Sequence, residues 1–223
     1  MFRTFAFVVF FGLVVAALFR WRTLGWPPLV WLTGSLMIAV IRAPYARTTG
    51  DNVITSDRKD LSESVLLAAM FLAMGWLPLI HLATGVFGFA DYHLAPVASY
   101  VGASLQPPFL LLFWRSHADL GKNWSATLEI REDHSLITDG VYAHMRHPMY
   151  AAIWLGVIAQ PLLVQNWVAG FLVFPVFLAM YLIRTPREEA MMRDQFGEAY
   201  DRYAARTGRI LPRFGAPKKE IAR

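Results

Sequence analysis

The sequence contains no cysteine, so a disulfide, a thiolate zinc site and a cysteine nucleophile are all excluded. It is also poor in charge: 17% of its 223 residues are Asp, Glu, Lys or Arg, against about 25% in an average soluble domain. The charges concentrate in a few polar segments, and the uncharged runs between them are of bilayer length. The composition therefore excludes a disordered chain, an ordinary nucleic-acid-binding protein and a disulfide scaffold. It predicts a small all-α polytopic membrane protein.

The uncharged runs predict about six membrane-spanning helices, because roughly 17–25 apolar residues cross the hydrocarbon core as a helix. The predicted spans are Thr4–Phe19, Thr23–Ile41, Ser64–Ile80, Pro96–Trp114 and a two-helix hairpin within Pro148–Ile183. Adjacent Pro107 and Pro108 are expected to kink or break the fourth span. The alternative for the first run is a cleaved signal peptide, but the Arg20 and Arg22 that follow favour a retained span.

The distribution of positive charge predicts the orientation, since cytoplasmic loops carry an excess of Lys and Arg. With six spans, nearly all of the 21 Lys and Arg residues lie on one side, and only Arg20 and Arg22 lie on the other. Both termini and the two large polar segments, Arg115–His147 and Arg184–Arg223, are therefore predicted to be cytoplasmic. The chain divides accordingly into an N-terminal membrane region, 1–114, and a C-terminal region, 115–223.

The cytoplasmic tail predicts a helix of its own over Pro186–Ala205. Thr185 is a plausible N-cap, Pro186 suits the first helical position, and Glu188 supplies the matching acid of a capping box. Gly208 is expected to end the run.

The densest group of reactive side chains lies where a polar segment re-enters the membrane, over Gly140–Tyr150. Arg146, His147 and Tyr150 place a guanidinium, an imidazole and a phenol beside a helix start at Pro148. Free N–H groups at a helix start suit an anionic or zwitterionic ligand. The competing interpretation is a basic aromatic belt that anchors the helix among lipid headgroups.

A second group follows the last span. Arg184 and Glu188 are four residues apart and would share a helix face, whereas Glu189 is expected to be solvated. The competing interpretation is a surface ion pair with a capping box. Farther on, three aromatic side chains recur at helical spacing: Phe196, Tyr200 and Tyr203. Such a stripe is typical of a docking surface, and it would also hold a flat heterocycle against the membrane region.

Several reactive arrangements are absent from the sequence. It has no HExxH pair, no glycine-rich phosphate loop and no Ser/His/Asp arrangement. The acids Asp119, Glu129, Glu132 and Asp133 lack the helical spacing of metal ligands, so no metal site is predicted.

Taken in order, these motifs resemble the isoprenylcysteine carboxyl methyltransferase family of integral membrane enzymes. The order is Gly121–Ser125, His134–Tyr142, Arg146–Tyr150, a hydrophobic hairpin, Arg184-Thr185 with Glu188-Glu189, and Phe196-Gly197 with Tyr200 and Tyr203. The resemblance covers about Gly121–Pro212. The four N-terminal spans match the family only in hydropathy.

The resemblance implies a cytoplasmic pocket for the cofactor S-adenosylmethionine, capped by a C-terminal helix. The implied donor-binding residues are His134, Ser135, Leu136, Ile137, Tyr142, His147, Pro148, Met149, Tyr150 and Glu188. Arg184 is implied to hold the acceptor carboxylate, so Arg184 and Glu188 form the expected catalytic pair. A position near Glu129 or Ile130 also belongs to the family pocket.

The implied reaction is methyl esterification of an isoprenylcysteine-like or other lipidated carboxylate that enters from the bilayer. A carboxylate is ionised near pH 7, so attack on a sulfonium methyl group needs no general base. The expected partners are this lipophilic substrate and membrane lipids, with no nucleic acid.

Three alternatives stay open. Related proteins methylate phospholipid amines, but an ammonium acceptor would need a base such as Glu188 or His147, and Arg184 would repel it. Sterol reductases resemble the same C-terminal region and would bind NADPH instead. The non-enzymatic alternative is a membrane scaffold whose basic face holds anionic lipid.

Overall fold

The computed structural model describes residues 2–48, 54–57, 61–121, 129–131 and 135–214, and most of these are helical, as the apolar runs predict. The helices are α1 (Phe2–Phe19), α2 (Trp21–Leu24), α3 (Pro27–Thr48), α4 (Leu61–Phe71), α5 (Leu77–Thr84), α6 (Pro96–Leu120), α7 (Pro148–Leu163), α8 (Val173–Phe196) and α9 (Glu198–Arg206). Two π-helical segments, Leu72–Trp76 and Trp167–Phe171, lead into α5 and α8. Short 3-10 turns cover Gly88–Ala90 and Gly140–Ala143.

A pair of short strands is an addition that the sequence did not predict. Strand β1 (Ile54–Asp57) pairs antiparallel with β2 (Glu129–Arg131), with an irregularity in register between Ile54 and Ser56. The pair joins the segment between α3 and α4 to the segment between α6 and α7. The fold is therefore all-α apart from this one ribbon among the described residues.

Four helical stretches of the described chain are long and apolar enough to cross a membrane: Pro27–Tyr45, Leu61–Thr84, Pro96–Leu120 and Trp167–Phe196. They correspond to the second, third, fourth and sixth predicted spans. The remaining two apolar helices, Val8–Phe19 and Pro148–Leu163, are shorter. The helical hairpin predicted within Pro148–Ile183 is present as α7 and α8.

Helix α6 continues through Pro107 and Pro108, so the predicted break does not occur, and the alternative of a kink stays a prediction. Each proline removes one N–H donor from the helix. Packing against neighbouring helices offsets the loss of these donors: Phe109 is buried, and Gly102 lies against the backbone of Ala159 on α7. Membrane helices tolerate proline where neighbouring helices cover the freed backbone groups.

The separate tail helix predicted over Pro186–Ala205 is also wrong. Helix α8 runs through Thr185 and Pro186, so Thr185 is a buried interior residue and not an N-cap. The interruption comes at Gly197, whose φ of 52° and ψ of −130° are readily adopted only by glycine. The short helix α9 follows and ends at Arg206, with Thr207 as its C-cap.

Helix α4 packs against α8, and this contact brings the N-terminal region to the candidate site. Met70 of α4 shares a buried cluster with Phe177 and Met180 of α8 and Tyr150 of α7. Residues near the start of α7 and along α8 therefore pack together against α4.

One buried polar side chain joins four parts of the bundle. Gln160 of α7 is 1% exposed, and its side-chain N–H groups donate to the carbonyls of Ala73 at 2.9 Å and Ala169 at 3.0 Å. Its carbonyl accepts from the indole of Trp31 on α3 at 3.2 Å. Ala73 and Ala169 lie in the two π-helical segments, so Gln160 satisfies carbonyls of both.

Candidate active site

The turn before α7 is anchored to the end of α6. Asp119 of α6 accepts a hydrogen bond from the backbone N–H of Val141 at 2.8 Å. Gly140 has a φ of 59°, and a Cβ there would collide with the Asp119 carboxylate. A glycine is therefore required at 140, and the turn delivers the chain to α7, which begins at Pro148 as predicted.

Tyr142 is held by hydrogen bonds to protein groups at both ends. Its hydroxyl donates to the Ser116 carbonyl of α6 at 3.3 Å, and its own carbonyl accepts from the Tyr203 hydroxyl of α9 at 2.8 Å. Burial raises the pKa of the Tyr142 phenol, with the nearby Tyr203, Glu188 and Asp119 adding to the shift. Tyr142 thus joins α6, the turn and α9, close to the carboxylate of Glu188.

Glu188 lies at the centre of a group of four side chains, here called the Glu188 cluster: His147, Tyr150, Arg184 and Glu188. The Tyr150 hydroxyl donates to Glu188 Oε1 at 2.7 Å. Arg184 Nε lies 3.1 Å from the same oxygen, so the predicted shared helix face is confirmed. His147 Nδ1 lies 3.6 Å from Oε2. The Glu188 side chain keeps 21% of its surface exposed, which leaves it accessible to a ligand.

Arg184 contacts a second acid that the sequence interpretation missed. Its Nη2 lies 3.7 Å from Oε1 of Glu63, which belongs to the first turn of α4 and is 1% exposed. Arg42 of α3 is close enough for its positive charge to repel that of Arg184. The sequence contains a signal that could have identified Glu63, because an acid within an apolar membrane helix is energetically costly and therefore indicates a functional role. The sequence interpretation instead placed Glu63 at the end of a loop.

Glu189 is buried and fully engaged, so the prediction that it is solvated is wrong. Its carboxylate lies 3.3 Å from Arg146 Nε, 3.2 Å from His147 Nε2 and 2.7 Å from Arg209 Nη2. The reason is the continuity of α8: one residue along a helix turns the side chain by about 100°. That rotation points Glu189 at the segment before α7, and hydrogen bonding to Glu189 raises the pKa of Arg209.

The C-terminal strap, Thr207–Arg213, runs beside the start of α7. The backbone N–H of Arg146 donates to the Gly208 carbonyl at 2.8 Å, and that of His147 donates to the Arg209 carbonyl at 2.9 Å. The Arg146 side chain also donates to the carbonyls of Ala204 and Thr207. His147 is therefore positioned through its backbone by the strap and through its ring by Glu188 and Glu189.

Helix α9 docks through its aromatic side chains. Tyr200 and Tyr203 are 2% and 3% exposed, which agrees with the docking surface predicted from their spacing. Phe196 is half-buried and precedes the Gly197 break, so it belongs to α8 and does not continue the α9 face.

The other predicted donor-binding residues lie outside the Glu188 cluster. Ser135, Leu136 and Ile137 form a non-helical segment that leads to the turn before α7, with Ser135 exposed and the other two half-buried. Pro148 is buried at the helix start, and Met149 packs near Phe109 and Phe113 of α6. His134 lies outside the described residues, and Glu129 and Ile130 lie in β2.

The arrangement combines a partly exposed acid and a guanidinium in the interior of α8 with an imidazole at the start of α7. An exposed carboxylate fits a cationic ligand group, and a guanidinium fits an anionic one. The site thus has the charges needed to hold a zwitterion or a cation–anion pair beside the bilayer.

Residues 109–194 match the isoprenylcysteine carboxyl methyltransferase family, which confirms the resemblance seen in the motifs. A protein-S-isoprenylcysteine O-methyltransferase of Schizosaccharomyces pombe is 32% identical over 81 residues, covering 36% of this chain and 34% of that protein. A probable protein-S-isoprenylcysteine O-methyltransferase of Oryza sativa subsp. indica is 27% identical over 158 residues, 70% of this chain and 82% of the rice protein.

The similarity also reaches a protein with a different name. The nickel-cobalt-cadmium resistance protein NccN of Alcaligenes xylosoxydans xylosoxydans is 27% identical over 104 residues, 46% of this chain and 48% of that protein. The chain spans about a third of the yeast protein's length. The matched segment, 109–194, contains the whole Glu188 cluster but neither Glu63 nor Arg42.

Proposed function

We propose that this protein is an integral membrane methyltransferase that uses S-adenosylmethionine to esterify the carboxylate of an isoprenylcysteine-like or other lipidated substrate. The observation that carries the proposal is the Glu188 cluster, which the fold assembles from α7 and α8 within the segment that matches the family. The relatives named as protein-S-isoprenylcysteine O-methyltransferases suggest the substrate class.

The residues present fit the methyl donor. Glu188 presents an accessible carboxylate to the donor's positively charged groups, while Tyr150 and Arg184 hold one carboxylate oxygen in place. His147, Pro148 and Met149 would surround the donor's methionine part, with His134, Ser135, Leu136, Ile137 and Tyr142 completing the pocket. When bound, S-adenosylmethionine supplies an electrophilic methyl group on a sulfonium.

Arg184 is the proposed clamp for the acceptor. Its Nε lies nearest to Glu188 and its Nη2 lies nearest to Glu63. A planar guanidinium can bind a carboxylate through the remaining edge and cannot lose its proton near neutral pH. Held there, the acceptor would present an ionised carboxylate oxygen to the methyl group that S-adenosylmethionine would supply. An ionised carboxylate has no proton to lose, so the residues of the site would not need to act as a base.

The membrane setting completes the proposal. In this proposal the chain crosses the membrane six times, the excess of Lys and Arg puts the Glu188 cluster on the cytoplasmic side, and α9 and the strap cap the donor pocket. The N-terminal region 1–114 supplies the membrane frame, and the region 115–223 supplies the chemistry. The lipid tail of the acceptor stays in the bilayer while its carboxylate reaches Arg184.

Donor affinity tests the proposal first. Calorimetry on detergent-purified protein should show saturable S-adenosylmethionine binding that Glu188→Ala abolishes, because the donor's positive groups lose their carboxylate. Glu198→Gln is the matched control, since Glu198 lies on α9 in an exposed ion pair with Arg202. A well-folded wild type that binds no donor would remove the methyltransferase proposal. In that case NADPH binding would support the reductase alternative, and binding of neither would support the scaffold.

Turnover tests the acceptor. With N-acetyl-S-farnesylcysteine as the carboxylate probe, wild type should form a methyl ester, and Arg184→Ala should lose turnover while it still binds the donor. Labelled methyl transfer to phospholipid amines in a lipid extract, with none to the prenylcysteine probe, would favour the amine methyltransferase instead.

A further inference from the structure

We infer that Glu63 is a positioning residue for the methyl-transfer site, acting through the guanidinium of Arg184. The inference rests on the proposed function, and it extends the site to a residue outside the segment that matches the family. Glu63 lies on α4, in the part of the chain that resembles the family only in hydropathy.

The burial of Glu63 calls for a charged partner. Glu63 is 1% exposed and begins a helical stretch, Leu61–Thr84, that is long and apolar enough to cross a membrane. An ionised side chain in such surroundings is costly unless a partner compensates for it. Arg184 provides that partner, with Nη2 at 3.7 Å from Glu63 Oε1.

The geometry shows what the contact does for Arg184. Glu188 faces the Nε side of the guanidinium, and Glu63 faces the Nη2 side. Two carboxylates, one on α8 and one on α4, restrain a planar group against rotation about its long side chain. The Nη1 edge is then directed consistently, which is the property that a carboxylate clamp needs.

Packing between α4 and α8 fixes the position of Glu63 relative to Arg184. Helix α4 and helix α8 share the buried cluster that contains Met70 and Phe177. On the neighbouring turn, Arg187 donates to Ser62 at 3.1 Å. The first turn of α4 is therefore held at a defined distance from the cytoplasmic-side part of α8.

The test compares Glu63→Gln with wild type in donor calorimetry and in turnover of N-acetyl-S-farnesylcysteine. We expect unchanged S-adenosylmethionine affinity and site number, with kcat per donor-binding site lowered by about tenfold to a hundredfold, since small misplacement of a clamp costs this much. Glu63→Asp should recover part of the loss. Glu198→Gln, the same change at an exposed acid that pairs with Arg202, is the control and should keep the wild-type kcat.

A double-mutant cycle separates positioning from general damage to the fold. If Glu63 acts through Arg184, then Glu63→Gln should have little further effect on kcat in an Arg184→Lys background. Independent, additive effects would overturn the inference, and so would a Glu63→Gln variant with full kcat. A wild type that neither binds the donor nor methylates the probe would instead defeat the proposed function.

Discussion

At the residue scale, Glu188 and Glu189 show how one helix gives two adjacent acids opposite roles. Glu188 keeps an exposed surface and contacts groups suited to ligand binding, whereas Glu189 is enclosed by Arg146, His147 and Arg209. A ligand can therefore reach Glu188, while Glu189 is used to hold the strap against α7.

This contrast predicts that Glu189→Ala mainly damages stability. Removing the shared acid leaves Arg146 largely buried without its carboxylate, which should cost about 3 kcal/mol. Glu188→Ala should cost clearly less, because that carboxylate is partly exposed. Thermal unfolding of the detergent-solubilised variants, each with and without the donor, measures both effects. Equal unfolding temperatures for Glu189→Ala and wild type would contradict the structural role.

Residue-level prediction from sequence succeeded where one helix supplied the whole contact. The pairing of Arg184 with Glu188 depends only on a four-residue spacing, and that spacing is visible in the sequence. Glu63 and Glu189 were missed because their surroundings depend on which helices meet. Arg184 lies 121 positions from Glu63, and Arg146, His147 and Arg209 lie 43, 42 and 20 positions from Glu189, all beyond the reach of a local pattern.

At the element scale, Gly197 determines where α8 ends and α9 begins. Gly197→Ala should lower stability by about 1–2 kcal/mol, because an alanine strains against a φ of 52° with ψ of −130°. The cost is conformational, since a Cβ at 197 meets nothing within 4 Å. Gly12→Ala in α1 is the control: it also meets nothing and needs no positive φ, so thermal unfolding should not show a loss.

The docking of α9 should weaken in alkali. Burial raises the pKa of Tyr200 to about 12, whereas an unfolded tyrosine titrates near pH 10. A raised folded pKa means that the stabilisation is complete below about pH 10 and is lost as pH rises towards about 12. Unfolding temperatures measured between about pH 8 and pH 12, with tyrosinate absorbance, should show this decline. The unfolding temperature of Tyr200→Phe should fall less over this range. If the variant and wild type showed the same pH dependence, the role of the Tyr200 phenol would be contradicted.

Element boundaries were harder to predict than element identities. The apolar runs predicted the helices well. A kink or break was predicted at Pro107 and Pro108 and a helix start at Pro186, and all three prolines lie inside helices. A proline inside a helix removes the same N–H donor whether or not other helices pack around it. Whether neighbouring helices offset that cost is a tertiary property, which a local pattern does not contain.

At the scale of the whole molecule, Gln160 connects α7, α3 and both π-helical segments. Gln160→Leu should lower the free energy of unfolding by about 2 kcal/mol, because three intramembrane hydrogen bonds are lost at roughly 0.6 kcal/mol each. Chemical or thermal unfolding in detergent measures the loss. Gln165→Leu, near the same turn but more exposed, should lower the free energy of unfolding by less. A larger decrease for Gln165→Leu than for Gln160→Leu would show that Gln160 is not the main connection.

The strap has a consequence for the order in which the protein is made. The backbone N–H groups of Arg146 and His147 bond to Gly208 and Arg209, and the Arg213 N–H bonds to the His144 carbonyl. These partners are synthesised some tens of residues after α7, at about 5–20 residues per second. A nascent chain on the ribosome therefore inserts its helices first and completes the surroundings of His147 only after Arg213 has emerged. The proposed donor and acceptor site should therefore be complete only after this strap has been translated.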